Sequence, residues 1–165
     1  MDKTGERLFM ALLAELKNKV LSTLNPHQDN ASLAGRWDYL TLFGRLLYEV
    51  AAVSSGISEE ELTVIRNIMV KDLALNEREW QYTYQMIEEL AKREINFRRF
   101  TSEFNKVADY NTRLDLLEAL LKVASADGII EKVEFAKIKW IANYLWITPK
   151  DFNGIKDKYR ALIEF

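Results

Sequence analysis

Apolar residues recur three and four positions apart along almost the whole chain, while strict alternation over a strand's length and turn-bounded β-branched clusters are both missing. A chain with that one period is confined to helices packed on helices, because a helix with an apolar stripe must bury it against a neighbour. The expected fold class is all-α. Punctuation divides the pattern into seven to eight helices. The first covers about 4–24 and stops before Asn25-Pro26, since proline disfavours helical geometry in the residue before it. "NPHQDNASLAG" then forms the one long polar connection, and a second helix over about 36–54 carries a stripe of Leu40, Phe43, Leu47 and Val50.

Starts of the later helices are written in their capping residues. In "SEEE" the Ser58 side chain accepts from the Glu61 N–H and Glu61 reaches back, so a helix runs from Ser58 to about residue 73. Asn76 with Glu79 repeats that logic for a helix to about 93, and a shorter one follows over 97–109. Asn111 is read as the cap of "TRLDLLEALLKVASA", whose apolar residues spread so far around the circumference that other helices should surround it. The next helix spans about 131–145. Thr148-Pro149 opens the last, with proline in the first turn, where its missing N–H does no harm.

The chain also repeats itself. Ser55-Gly56 precedes Asp127-Gly128 by 72 residues, and the same shift carries Leu75, Asn76, Glu79 and Trp80 onto Ile147, Thr148, Asp151 and Phe152. Each half reads as apolar helix, small-residue turn with glycine, acid-capped helix, short link, then a capped helix with an aromatic residue in its first turn. Glu61 and Glu134 stand 73 apart, so the first turn is one residue shorter than the second. Two such halves build a bundle by burying their open faces on each other.

At 165 residues, 48% hydrophobic and 29% charged, the composition is that of one globular domain, residues 1–165, with an N-terminal helix and loop over about 1–34 and a duplicated core over about 36–160. A formal charge of −2 gives no general pull toward nucleic acid or anionic lipid. The absence of cysteine removes disulfides, thiolate ligands and thiol redox chemistry. The longest early apolar run, residues 8–14, falls well short of the roughly 20 a spanning helix needs, so no membrane insertion is expected. Nothing at the N-terminus reads as an export signal, and the expected location is the cytoplasm.

"VASADGIIEKVEFAKIKWIANYLWITPKDF" and, before it, "VAAVSSGISEEELTVIRNIMVKDLALNEREW" resemble the two half-repeats of the TerB-like family, found in bacterial tellurite-resistance proteins and in DnaJ-like co-chaperones. The pattern is Ala-Asp-Gly, a glutamate six residues after the glycine, an apolar helix, then an aliphatic residue and a polar cap. The resemblance spans about 36–160. It implies an all-helical, non-enzymatic domain with an acidic site for a divalent cation such as Ca²⁺, acting in stress responses through partner proteins. Asp127, Gly128 and Glu134 match the second motif; Gly56 and Glu61 match the first, where Ser55 holds the aspartate position. J-domain activity is not expected, since Pro26-His27-Gln28-Asp29 lacks the His-Pro-Asp order.

"ASADGIIEKVEF" therefore admits two accounts. In the structural one, Gly128 ends its helix in a left-handed conformation, Asp127 bonds to nearby backbone and Glu134 caps the next helix. In the functional one, Asp127 and Glu134 converge as hard oxygen ligands, with Glu61, backbone carbonyls and water completing the roughly six to eight oxygens that calcium takes. The segment is not an EF-hand, because Ile129 and Glu131 stand where alternating oxygen donors belong. The alternative function is a metal-free protein-interaction or scaffolding module.

Other candidates are weaker. His27 is the sole histidine, so zinc clusters and Cys-His or Ser-His-Asp relays are nearly closed to this chain. Lys92, Arg93, Arg98 and Arg99 in "AKREINFRRF" read as helix-end cations, with Phe97 and Phe100 entering the core. Trp37, Trp80, Trp140 and Trp146 read as core aromatics rather than a ligand cavity.

Overall fold

Helix α1, Trp37–Ala51, carries the expected stripe, but its burial goes further: Thr41, Leu42 and Leu46 are enclosed along with Leu40, Phe43, Leu47 and Val50. The computed structural model describes residues 37–93 and 97–165. The helix expected over 4–24, the loop bearing His27 and the side chain of Trp37 lie outside the described residues. After α1 come α2 (Glu59–Asn67), a π-helical turn (Ile68–Asp72), α3 (Glu77–Ala91), α4 (Phe97–Val107), α5 (Tyr110–Ala124), α6 (Lys132–Tyr144), α7 (Pro149–Lys156) and a 3₁₀ turn (Asp157–Leu162). The described residues thus hold seven α-helices and no strand; an isolated parallel β-bridge joins Ile130 to Ile163.

Apolar periodicity set the architecture. α5, whose Leu116, Leu117, Leu120, Leu121 and Val123 are buried around its circumference, packs against α1, α2, α6 and α7. α1 packs against α2, α3, α4, α5 and α6, so the opening helices of the two halves form a shared centre. Gly44 lets α1 approach α3: a Cβ there would stand 2.5 Å from Cδ1 of Ile87. On the flank of α1, Glu49 accepts from Arg45 at 2.8 Å and pairs with Lys137 of α6 at 3.2 Å. Burial alone would raise the Glu49 pKa, but the two cations outweigh it and hold the carboxyl below its ordinary value.

Several boundaries differ from the sequence expectation. α5 is capped by Asp109, whose side chain accepts from Thr112 N–H at 2.8 Å, two residues before Asn111. Trp80 is 6% exposed, but Trp140 is 36% exposed, tilted against Phe97 and edge-on to Tyr144, and Trp146 is 71% exposed. The core expectation thus holds for Trp80 and fails for Trp146, which sits at φ 56° in the link after α6 and points away from the bundle under Arg113.

The repeat is real in the backbone. Gly56 and Gly128 take φ of 103° and 96°, and Ala74 and Trp146 take φ of 58° and 56°; each pair is 72 residues apart. Between Glu61 and Ala74, however, the first half has one residue more than the second has between Glu134 and Trp146. The π-helical turn holds that extra residue, with Leu73 N–H reaching back five positions to Ile68 at 3.0 Å. The short first turn and the widened helix cancel, so both halves leave their second helix in the same register.

A carboxyl pair where the two halves meet

The site grows out of two helix starts. At α2, Ser58 is extended (φ −75°, ψ 161°); its Oγ accepts from Glu61 N–H at 3.1 Å, and Ser58 N–H donates to Glu61 Oε2 at 2.8 Å. At α6, Glu131 occupies the equivalent place (φ −65°, ψ 154°), and its N–H donates to Glu134 Oε2 at 2.9 Å. Both glutamates are thus third residues of their helices, folded back by the capping geometry that Ser-x-x-Glu encodes locally. An N-terminal carboxylate is favoured there by the unpaired N–H groups of the first turn.

Both glutamates are buried: Glu61 is 6% exposed and Glu134 3%. Because the halves pack as equivalents, the two helix starts face each other and the side chains of Glu61 and Glu134 hydrogen-bond to one another. Two buried carboxylates in contact repel, so the pair retains a proton. Burial, the hydrogen bond and charge of Glu61, and the charge of Glu131 push the Glu134 carboxyl up to about 7, against the opposing pull of the Glu131 N–H.

Of the three residues singled out as ligands, the fold brings Glu61 and Glu134 together and leaves Asp127 apart. Asp127 is exposed, and its Oδ1 accepts from Ile129 N–H at 3.2 Å, closing a local side-chain turn over Gly128. Among the described residues no group of three or more His, Cys, Asp or Glu side chains is disposed to hold a metal. Sequence reasoning overlooked Glu131, whose charge is felt by Glu134; its signal was the spacing Glu131-x-x-Glu134, matching Ser58-x-x-Glu61. The turn beside the pair is closed by the C-terminal segment: Ile130 N–H donates to Leu162 O at 2.7 Å, and Glu164 N–H to Ile130 O at 2.9 Å.

The second pair of caps ties the halves' final helices down. Asn76 Oδ1 accepts from Glu79 N–H at 2.8 Å, and Thr148 Oγ1 accepts from Asp151 N–H at 3.2 Å. Tyr110, opening α5, donates its hydroxyl to Asp151 Oδ2 at 2.6 Å, and this bond, with that from Thr148, lowers the Asp151 pKa. No described helix is long and apolar enough to cross a membrane.

Residues 42–157 match the family model described as Tellurite resistance protein TerB. No curated protein and no solved structure matches the chain. The match covers most of the sequence, including both helix starts that carry the carboxyl pair, and the chain belongs to the TerB family.

Proposed function

We propose that this TerB-family protein is a non-catalytic, cytoplasmic stress-response module that takes up a divalent cation at the Glu61–Glu134 pair and acts through partner proteins. The observation that carries the reading is the burial of two hydrogen-bonded carboxyls at facing helix starts, a place where one positive charge is needed. A proton supplies it below about pH 7; a hard cation such as Ca²⁺ is the other species that carboxylate oxygens favour. Glu61 and Glu134 would hold the ion, and since two carboxylates offer at most about four of the roughly six to eight oxygens calcium takes, backbone carbonyls and water would supply the rest. Asp127 would join only if its bond to Ile129 opened.

Calorimetry tests this with CaCl₂ and MgCl₂ at pH 6 and pH 8. Wild type should give a saturable heat at pH 8 that weakens at pH 6, where a proton competes, and Glu134→Gln should give none. Equal heats from wild type and Glu134→Gln would remove the cation from the account. A metal-free interaction module is the second reading, favoured because no third acid is disposed with the pair as a metal-holding group among the described residues, and because both Oε2 atoms already accept backbone N–H groups. A pull-down repeated with and without chelator separates the two, because only the first makes partner capture depend on the ion.

A further inference from the structure

We propose that the open groove between α6 and α7 binds a small amphipathic carboxylate. The groove holds about 380 Å³; Phe135, Lys139, Ala142, Phe152, Lys156 and, from the C-terminal segment, Phe165 line it, and no Asp or Glu is among its lining residues. The size falls within the roughly 300–1,000 Å³ typical of small-molecule sites.

The first half of the chain supplies the control. Its hairpin of α2, π-helical turn and α3 follows the same path as α6 and α7: Leu75 N–H donates to Met69 O at 3.1 Å where Ile147 N–H donates to Ala142 O at 3.1 Å. In that first hairpin the space is filled. Met69 is fully buried, Trp80 is nearly so, and Arg66 of α2 is clasped to Glu77 of α3. At the equivalent positions of the second hairpin stand Ala142 for Met69, Phe152 for Trp80, Lys139 for Arg66 and Pro149 for Glu77. Side-chain volume and one carboxylate have been withdrawn, while the cation remains.

Lys139 has no ion pair among the described residues; its ammonium lies 5.9 Å from the Phe135 ring centre. Lys156, replacing Tyr84, adds a second cation, bonded to Asn153 Oδ1 at 3.2 Å. A ligand that restores what the first hairpin contains has an apolar body in the place of the Met69 and Trp80 side chains and a carboxylate in the place of Glu77. That describes an alkyl or aryl monocarboxylate. Its head group meets the lysines and its body lies on Phe135, Ala142 and Phe152.

Calorimetry with sodium decanoate and sodium 1-naphthoate tests the proposal and separates the alkyl from the aryl source, with decanol as the neutral control. One or both acids should bind with one-to-one saturation, and decanol at least about tenfold more weakly, since a charge-assisted bond is lost. Lys139→Glu, on the exposed rim, should weaken the acid by at least about tenfold without changing the melting temperature. Ala142→Met with Phe152→Trp, which copies the first half, should abolish binding. Saturable binding by neither acid, equal affinity for decanol, or undiminished binding in Lys139→Glu would overturn the proposal. Binding confined to acidic peptides would overturn it as well.

Discussion

The side chains of Glu61 and Glu134 hydrogen-bond to each other although their helices begin 73 residues apart, at Glu59 and Lys132. Local code puts each glutamate at the third position of its helix; only the packing of the two halves puts them together. The protein therefore buries a pair of like-charged groups where its two halves meet and must answer that charge with a proton or a cation.

A first consequence is a stability that falls as pH rises. Glu134 has an ordinary value of 4.5 and titrates near 7 in the fold. Between those values the unfolded chain binds fewer protons than the native one, so stability declines from about pH 4.5 to about pH 7 and then levels. At about 1.4 kcal/mol per pKa unit, the loss is of order 3–4 kcal/mol. Glu134→Gln keeps an acceptor for Glu131 N–H and offers Glu61 a neutral donor. Urea unfolding should show it more stable than wild type at pH 8 by up to that amount, and level with it near pH 4.5.

Asp127 should be dispensable to the pair. Its carboxylate is exposed and accepts from Ile129 N–H alone. Asp127→Ala is expected to lower stability by about 1 kcal/mol or less, and to leave the Glu134 titration where it is. A shift of that titration by a full unit would return Asp127 to the site.

The backbone marks of the repeat predict opposite effects at two positions. Gly128 holds φ 96°, so Gly128→Ala should destabilise by about 1 kcal/mol or more. Ala74 holds φ 58° on the surface, and Ala74→Gly should be neutral or stabilise by up to about 1 kcal/mol. Thermal melts of the two variants check both signs.

Tyr110, the first residue of α5, links that helix to the first turn of α7. Tyr110→Phe removes the 2.6 Å bond to Asp151 and should let its pKa rise toward the ordinary 3.8. Side-chain carboxyl NMR reads that change directly; an unmoved Asp151 would place the cause in Thr148 alone.

Much of this arrangement is written locally. Ser58-x-x-Glu61, Asn76-x-x-Glu79 and Thr148-Pro149 place three helix starts because a cap is decided within four residues. The encirclement of α5 shows in its apolar circumference. Asp109 and Asn111 are chemically similar caps two residues apart, and nothing local distinguishes them. The π-helical turn is invisible because one inserted residue leaves the apolar pattern nearly intact, although the 72-to-73 slip in the repeat is its trace. The exposure of Trp146 depends on a left-handed backbone fixed by the link after α6. The meeting of Glu61 with Glu134, and the exclusion of Asp127, depend on long-range packing, which the repeat suggests but does not specify.

The central claim is that one proton is held between the two halves. Carbon-detected NMR titration of the Glu134 side-chain carboxyl, in wild type and in Glu61→Gln, tests it most directly. The account predicts a midpoint near 7 in wild type that falls when Glu61 loses its charge; a midpoint near 4.5 in both proteins would contradict it.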